Sequence, residues 1–75
     1  FNPIVNIDFS IPQNDMINIS IYDITGRLVQ ELFNNVKDAG YHSIQWNAIN
    51  YASGIYFIKI STDNFIQTKK VTLLK

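Results

Sequence analysis

The sequence predicts an all-β protein, a small antiparallel β-sandwich of about six to seven strands. Three observations predict it: apolar side chains alternate with polar ones, turn-forming residues recur about every ten to twelve positions, and no segment shows a helical repeat. A chain of 75 residues suffices for one domain, which we place over residues 1–75.

The first two strands show the clearest alternation. Apolar residues occupy every second position from Val5 to Ile11 and again from Ile17 to Ile21. Because successive side chains of a strand point to opposite faces, each run buries one face. Pro12 ends the first strand, since proline cannot donate to the hydrogen-bond ladder. Asp23-Ile24-Thr25-Gly26 then supplies the chemistry of a tight turn.

Four further strands are predicted, at 27–33, 41–46, 54–61 and 65–75. In the third strand, Val29 and Leu32 both face inward although they are three positions apart, which indicates a β-bulge. We predict a polar loop from Asn34 to Gly40 and expect Val71 and Leu73 to be the core residues of the last strand. An additional short strand before residue 5 is expected in a longer chain.

Composition excludes several classes of protein. Six basic and six acidic residues give a formal net charge of zero, so no basic face for nucleic acid is expected. Cysteine is absent, which excludes a disulfide framework. No segment approaches the ~20 apolar residues of a membrane-spanning helix. Because Phe1 is not an initiator methionine, we interpret the chain as an excised piece whose targeting segment lies elsewhere.

Residues that could support catalysis are too sparse to make an enzyme. The single histidine, His42, lies within a strand near Trp46, which favours a structural role over that of a catalytic base. The six acids are scattered singly, so no metal site and no cofactor is predicted, although one calcium ion at a loop acid stays open.

The aromatic residues fall into two groups. Phe9, Trp46 and Tyr56 are in phase with the core, so packing is expected. A second group is predicted to point outward and is a candidate surface for binding sugars or a partner strand: Tyr41, Tyr51 and Phe57.

The last strand is rich in lysine. Lys69, Lys70 and Lys75 surround Val71, Leu73 and Leu74. Lysines protect an edge strand from edge-to-edge aggregation. An accessible terminal strand presented to a receptor is the other interpretation, and the sequence leaves both open.

Six short sequence motifs, taken in order, resemble those of a known family. They are Asn2-Pro3, residues 7–12, residues 21–27 with Val29, Ala39-Gly40-Tyr41-His42 leading to Trp46, residues 53–57, and residues 70–75. Together they resemble the type A C-terminal sorting domain of the type IX (Por) secretion system of Bacteroidetes. The chain is also similar to the Ig-like domain of the flagellar hook-capping protein, a related sandwich. The sequence ends in a hydrophobic strand followed by Lys75, and this ending favours the sorting domain.

The resemblance implies a secretion signal without catalysis. Such a domain lies at the C-terminus of a cargo protein that is exported to the periplasm and recognised by outer-membrane secretion machinery. A sortase then typically removes it and anchors the cargo at the cell surface. We place recognition on the terminal hairpin and nearby loops, with these candidate residues: Gly26, Arg27, Gly54, Lys70, Val71, Leu73, Leu74 and Lys75.

Two alternatives from other classes stay open at this point. The first is a structural or adhesive module that forms homo-oligomers through its edge strands. The second is a carbohydrate-binding module that uses exposed aromatics. Size-exclusion chromatography over a concentration series tests the first, and glycan binding lost on Tyr51→Ala tests the second.

Overall fold

A computed structural model describes residues 3–75 as six strands without a helix. The strands are β1 (Ile4–Ile11), β2 (Asp15–Asp23), β3 (Leu28–Lys37), β4 (Gly40–Asn47), β5 (Gly54–Ser61) and β6 (Ile66–Leu73). They form two antiparallel sheets, one of two strands in the order β1-β4 and one of four in the order β3-β2-β5-β6. The predicted all-β sandwich is confirmed. The additional strand expected before residue 5 falls outside the described residues.

The core lies between the two sheets. β2 is central in the larger sheet, and its alternate residues Ile17, Ile19 and Ile21 are completely buried. Opposite them, Trp46 of β4 is also completely buried. Isoleucine suits these positions because a β-branched side chain packs well on a pleated surface. The predicted inward series of β1, β2 and β4 is therefore confirmed.

The bulge predicted in β3 is present, and it occurs twice. Ile19 of β2 pairs with Phe33, but the next residue pairs with Glu31, so Leu32 is an extra residue on β3. A second shift, between Ile21 and Tyr22, inserts Val29 in the same way. Each bulge re-aims a side chain. As a result, Val29 and Leu32 both pack against the core although they are three positions apart.

The predicted loop from Asn34 to Gly40 is wrong. β3 continues to Lys37, and Val36 pairs with Met16 of β2. The ladder that β2 offers overrides the weak strand preference of the asparagines. Only Asp38 and Ala39 separate β3 from β4, and this turn is held by the Ala39 amide donating to Asn14 Oδ1 at 2.8 Å.

Candidate recognition surface at one end of the sandwich

Strand pairing brings three separate segments to one end of the molecule. Asp23, the last residue of β2, pairs with Tyr56 of β5, and Gly54 pairs with Leu73 near the end of β6. The β2–β3 turn, the β4–β5 loop and the residues after β6 therefore lie at the same end. We call residues 23–28, 48–53 and 74–75 the terminal surface.

One carboxylate organises the β2–β3 turn. Asp23 Oδ1 accepts hydrogen bonds from the Thr25 amide (2.9 Å), the Thr25 hydroxyl (2.6 Å) and the Arg27 amide (3.0 Å). The Thr25 hydroxyl, followed by the Arg27 amide, holds the pKa of Asp23 below its ordinary value. Gly26 closes the turn with a φ of 86°, a left-handed conformation that favours glycine. Ile24 is left 65% exposed at the tip.

The β4–β5 loop connects the first described residue to the core. The amide of buried Ala48 donates to the Pro3 carbonyl at 2.7 Å, and the Tyr51 amide donates back to the Ala48 carbonyl at 3.0 Å. Tyr51 packs against Trp46, with ring centroids 5.8 Å apart. Its hydroxyl donates to Gln30 Oε1 of β3 at 3.1 Å. These contacts hold the loop in place although it contains no regular structure.

The residues after β6 fold back onto this loop. The Lys75 amide donates to Ser53 Oγ at 3.2 Å, and the Lys75 ammonium donates to the Ile49 carbonyl at 2.6 Å. Leu73 is completely buried, whereas Leu74 is 63% exposed. The terminal lysine is thus fixed to the loop, and the leucine before it projects into solvent.

Large apolar side chains are exposed at both ends of the sandwich, with Met16, Val36 and Ile66 among those at the opposite end. The terminal surface carries four of the nine exposed large hydrophobic residues of the described chain: Ile24, Leu28, Ile49 and Leu74. Its charged residues are Arg27, Lys75 and Asp23, and Asp23 is already engaged by hydrogen bonds within its own turn. The terminal surface therefore combines exposed apolar side chains with two cations and one carboxylate.

The structure distributes the predicted recognition residues unevenly. Gly26, Arg27, Leu74 and Lys75 belong to the terminal surface, and Gly54 adjoins it. The remaining predicted residues lie on β6, where Lys70 is exposed, Val71 is half-buried and Leu73 is buried: only Lys70 among these three is freely accessible. Recognition by these residues stays a prediction.

Three of the four exposed apolar residues of the terminal surface escaped the sequence prediction: Ile24, Leu28 and Ile49. Ile24 and Ile49 are lone apolar residues within a turn and a loop, with no alternating neighbours to mark a face. The sequence does offer one indication of these two residues. Turns and loops favour polar residues, glycine and proline, so an isolated isoleucine there suggests a role other than local structure.

The predicted set of outward aromatics is not one surface. Tyr41 is 92% exposed on β4, and Phe57 is half-buried on β5 of the other sheet. The outward placement of Tyr51 is wrong, because its ring packs on Trp46 and lies edge-on to Tyr56 at 6.5 Å. Tyr51 is therefore half-buried against the core, and ligand binding by the exposed aromatics stays a prediction.

The single histidine has structural partners. His42 Nε2 donates to the Asp38 carbonyl at 2.6 Å, and its ring lies 5.6 Å from that of Phe9, which confirms the structural role predicted for this histidine. Within residues 3–75, no group of three or more His, Cys, Asp or Glu residues could hold a metal ion. In the same part of the chain no helix is long and apolar enough to cross a membrane.

Fold and surface together define the class: a small all-β domain with a partly apolar surface at one end of the sandwich. The chain matches the secretion system C-terminal sorting domain over residues 1–74, and it belongs to this family. No curated protein and no solved structure matches it. The predicted type IX sorting domain is confirmed, whereas the likeness to the Ig-like hook-capping domain is not. Members act as C-terminal signals for secretion or surface export and are in general non-catalytic.

Proposed function

We propose that this domain routes a cargo protein across the outer membrane to the cell surface, and that the terminal surface is the part the secretion machinery recognises. One observation carries the proposal: two hydrogen bonds from Lys75 hold the segment with exposed Leu74 against the β4–β5 loop, which carries a second exposed side chain, Ile49.

The energetics of binding favour such a surface. A partner that covers Leu74 and Ile49 removes apolar area from water, which stabilises the complex by about 25 cal/mol per Å². Because Lys75 and the Asp23-centred turn are already ordered, little conformational entropy is lost on binding. Arg27 and Lys75 add a positive rim that would steer an acidic partner surface.

The position of Pro3 connects recognition to processing in this proposal. Its carbonyl accepts from the Ala48 amide, in the same loop that holds Lys75. Cargo that precedes Pro3 thus joins the domain beside the terminal surface. A sortase that removes the domain would work close to the segment that the machinery recognises.

The test compares two exposed residues, one at the start of β6 and one directly after its end. Leu74 and Ile66 are 63% and 65% exposed, so serine at either position costs little stability. Deleting residues 71–75 is a poorer test, because it also removes buried Leu73.

A secreted reporter fused ahead of the domain is followed to the cell surface by immunolabelling. We expect Leu74→Ser to reduce surface delivery at least about tenfold, as the loss of ~1.4 kcal/mol of binding would, and Ile66→Ser to leave it unchanged. Equal delivery of both variants, with both domains folded, contradicts recognition through the terminal surface.

A further inference from the structure

The two sheets differ in width, and the difference leaves part of the larger one uncovered. Within residues 3–75, β1 pairs with β4 along one edge and has no ladder partner along the other. A groove of about 150 Å³ lies beside that free edge. Residues 5–8 of β1 form one wall, Ile58 and Ile60 of β5 form part of the floor, and β6 contributes Gln67, Lys69 and Val71.

The exposure of the inward side chains of β6 shows where the smaller sheet stops covering the larger one. The inward series of β6 begins at the terminal surface with Leu73, which is buried, and continues with Val71, which is half-buried. The next two inward residues, Lys69 and Gln67, are exposed. They pair with Ile58 and Ile60, which are buried core residues of β5. Polar residues at these inward positions fit a region that no strand within residues 3–75 covers.

We propose that the free edge of β1 and this groove accept an extended strand from another polypeptide, apolar at alternate positions and carrying a carboxylate opposite Lys69. An unpaired edge offers a row of backbone donors and acceptors, so an added strand gains main-chain hydrogen bonds. The alternate side chains of that strand enter the groove and cover half-buried Val71.

The charge of Lys69 determines which kind of residue on the added strand would face β6. Within residues 3–75, no hydrogen bond or ion pair engages the Lys69 ammonium. The one carboxylate at the groove, Asp8, belongs to the outward series of β1, as its exposure and its pairing with exposed Ser43 indicate. An inward carboxylate on the added strand is thus attracted by Lys69, while its outward residues beside Asp8 are best neutral.

The probe is the peptide acetyl-Thr-Val-Thr-Glu-Thr-Val-Thr-amide, in which valine and glutamate share one face. It is titrated at millimolar concentration into the ¹⁵N-labelled 75-residue chain. We expect amide shifts at residues 5–8 and at Lys69, and none when alternate peptide amides are N-methylated on the edge that pairs. A version with lysine in place of glutamate should bind about threefold to fivefold more weakly, as expected for an exposed ion pair.

The variant Lys69→Glu makes the charge test reciprocal. Lys69 is exposed, so the variant should fold, and it should now prefer the lysine peptide by a similar factor. Several results overturn the proposal: no shifts at residues 5–8, binding that survives N-methylation of both edges, or an unchanged preference in Lys69→Glu. Concentration-dependent shifts at residues 5–8 without peptide also overturn it, since a second copy would then be the occupant. The groove and Leu74 are separate, so either proposal can fail alone.

Discussion

Gln30 is the polar residue on which the packing of the terminal surface most directly depends. Its Oε1 accepts hydrogen bonds from Trp46 Nε1 and from the Tyr51 hydroxyl, both at 3.1 Å. One amide oxygen on β3 thereby joins β4 and the β4–β5 loop. Substituting Gln30→Met keeps the length of the side chain but removes the acceptor.

The cost of that substitution follows from the two bonds. Each intramolecular hydrogen bond contributes about 0.5–1.5 kcal/mol net, so Gln30→Met should lower the free energy of unfolding by about 1–3 kcal/mol. In a domain of this size, 1 kcal/mol corresponds to about 4–8 °C in Tm. A loss of about 2 kcal/mol therefore predicts a Tm lower by about 8–16 °C.

The assay uses the protein's own probe. Trp46 is the only tryptophan in the sequence, and it is a partner in the contact, so its fluorescence in urea reports both unfolding and the local environment. Gln30→Glu is the matched control, because it retains an acceptor oxygen at the same position and should cost less. If Gln30→Met is no less stable than Gln30→Glu, the two hydrogen bonds do not stabilise the domain and the reasoning fails.

Two further predictions separate buried from exposed contributions near the same end. Leu73→Ala should cost about 2–5 kcal/mol in urea unfolding because the side chain is fully buried, whereas Leu74→Ala should cost under about 0.5 kcal/mol; equal costs would mean that β6 is packed in another register. The carboxyl of Asp23 should titrate by NMR below the ordinary pKa of ~3.9, and Thr25→Val should raise that pKa. Since the folded pKa is the lower one, the stability from Asp23 is present above the ordinary pKa and is lost as the pH falls through the folded value. A normal midpoint in the unaltered chain would contradict the turn geometry.

Alternation along the sequence was sufficient to predict the core. A strand exposes successive side chains on opposite faces, so Ile17, Ile19 and Ile21 could only be buried together. The same rule placed Trp46 and Leu73 inside. It also predicted a bulge from the spacing of two apolar residues, because an extra residue is required to keep both on one face.

Rules of local composition failed where a neighbouring strand decided the outcome. The asparagine-rich segment after Phe33 looks like a loop, yet β2 supplies a ladder that extends β3 to Lys37. Tyr51 looks like an exposed loop aromatic, yet its ring packs against Trp46 and its hydroxyl donates to Gln30. Met16, which pairs with Val36, and Gln30, which accepts from Tyr51, are both distant in sequence from these partners, so no local pattern could indicate the two contacts.

The candidate site divides in the same way. Sequence alone determined the family, the two-residue periodicity, the turn chemistry of Asp23 and Gly26, and the presence of a lysine-rich last strand. Only the tertiary structure decided that β6 is an edge strand, that Lys75 folds back on the β4–β5 loop, and that the free edge of β1 borders an uncovered groove. The physical reason is range: burial of alternate residues and turn geometry depend on near neighbours, whereas edges, grooves and long-range hydrogen bonds exist only once distant strands have paired.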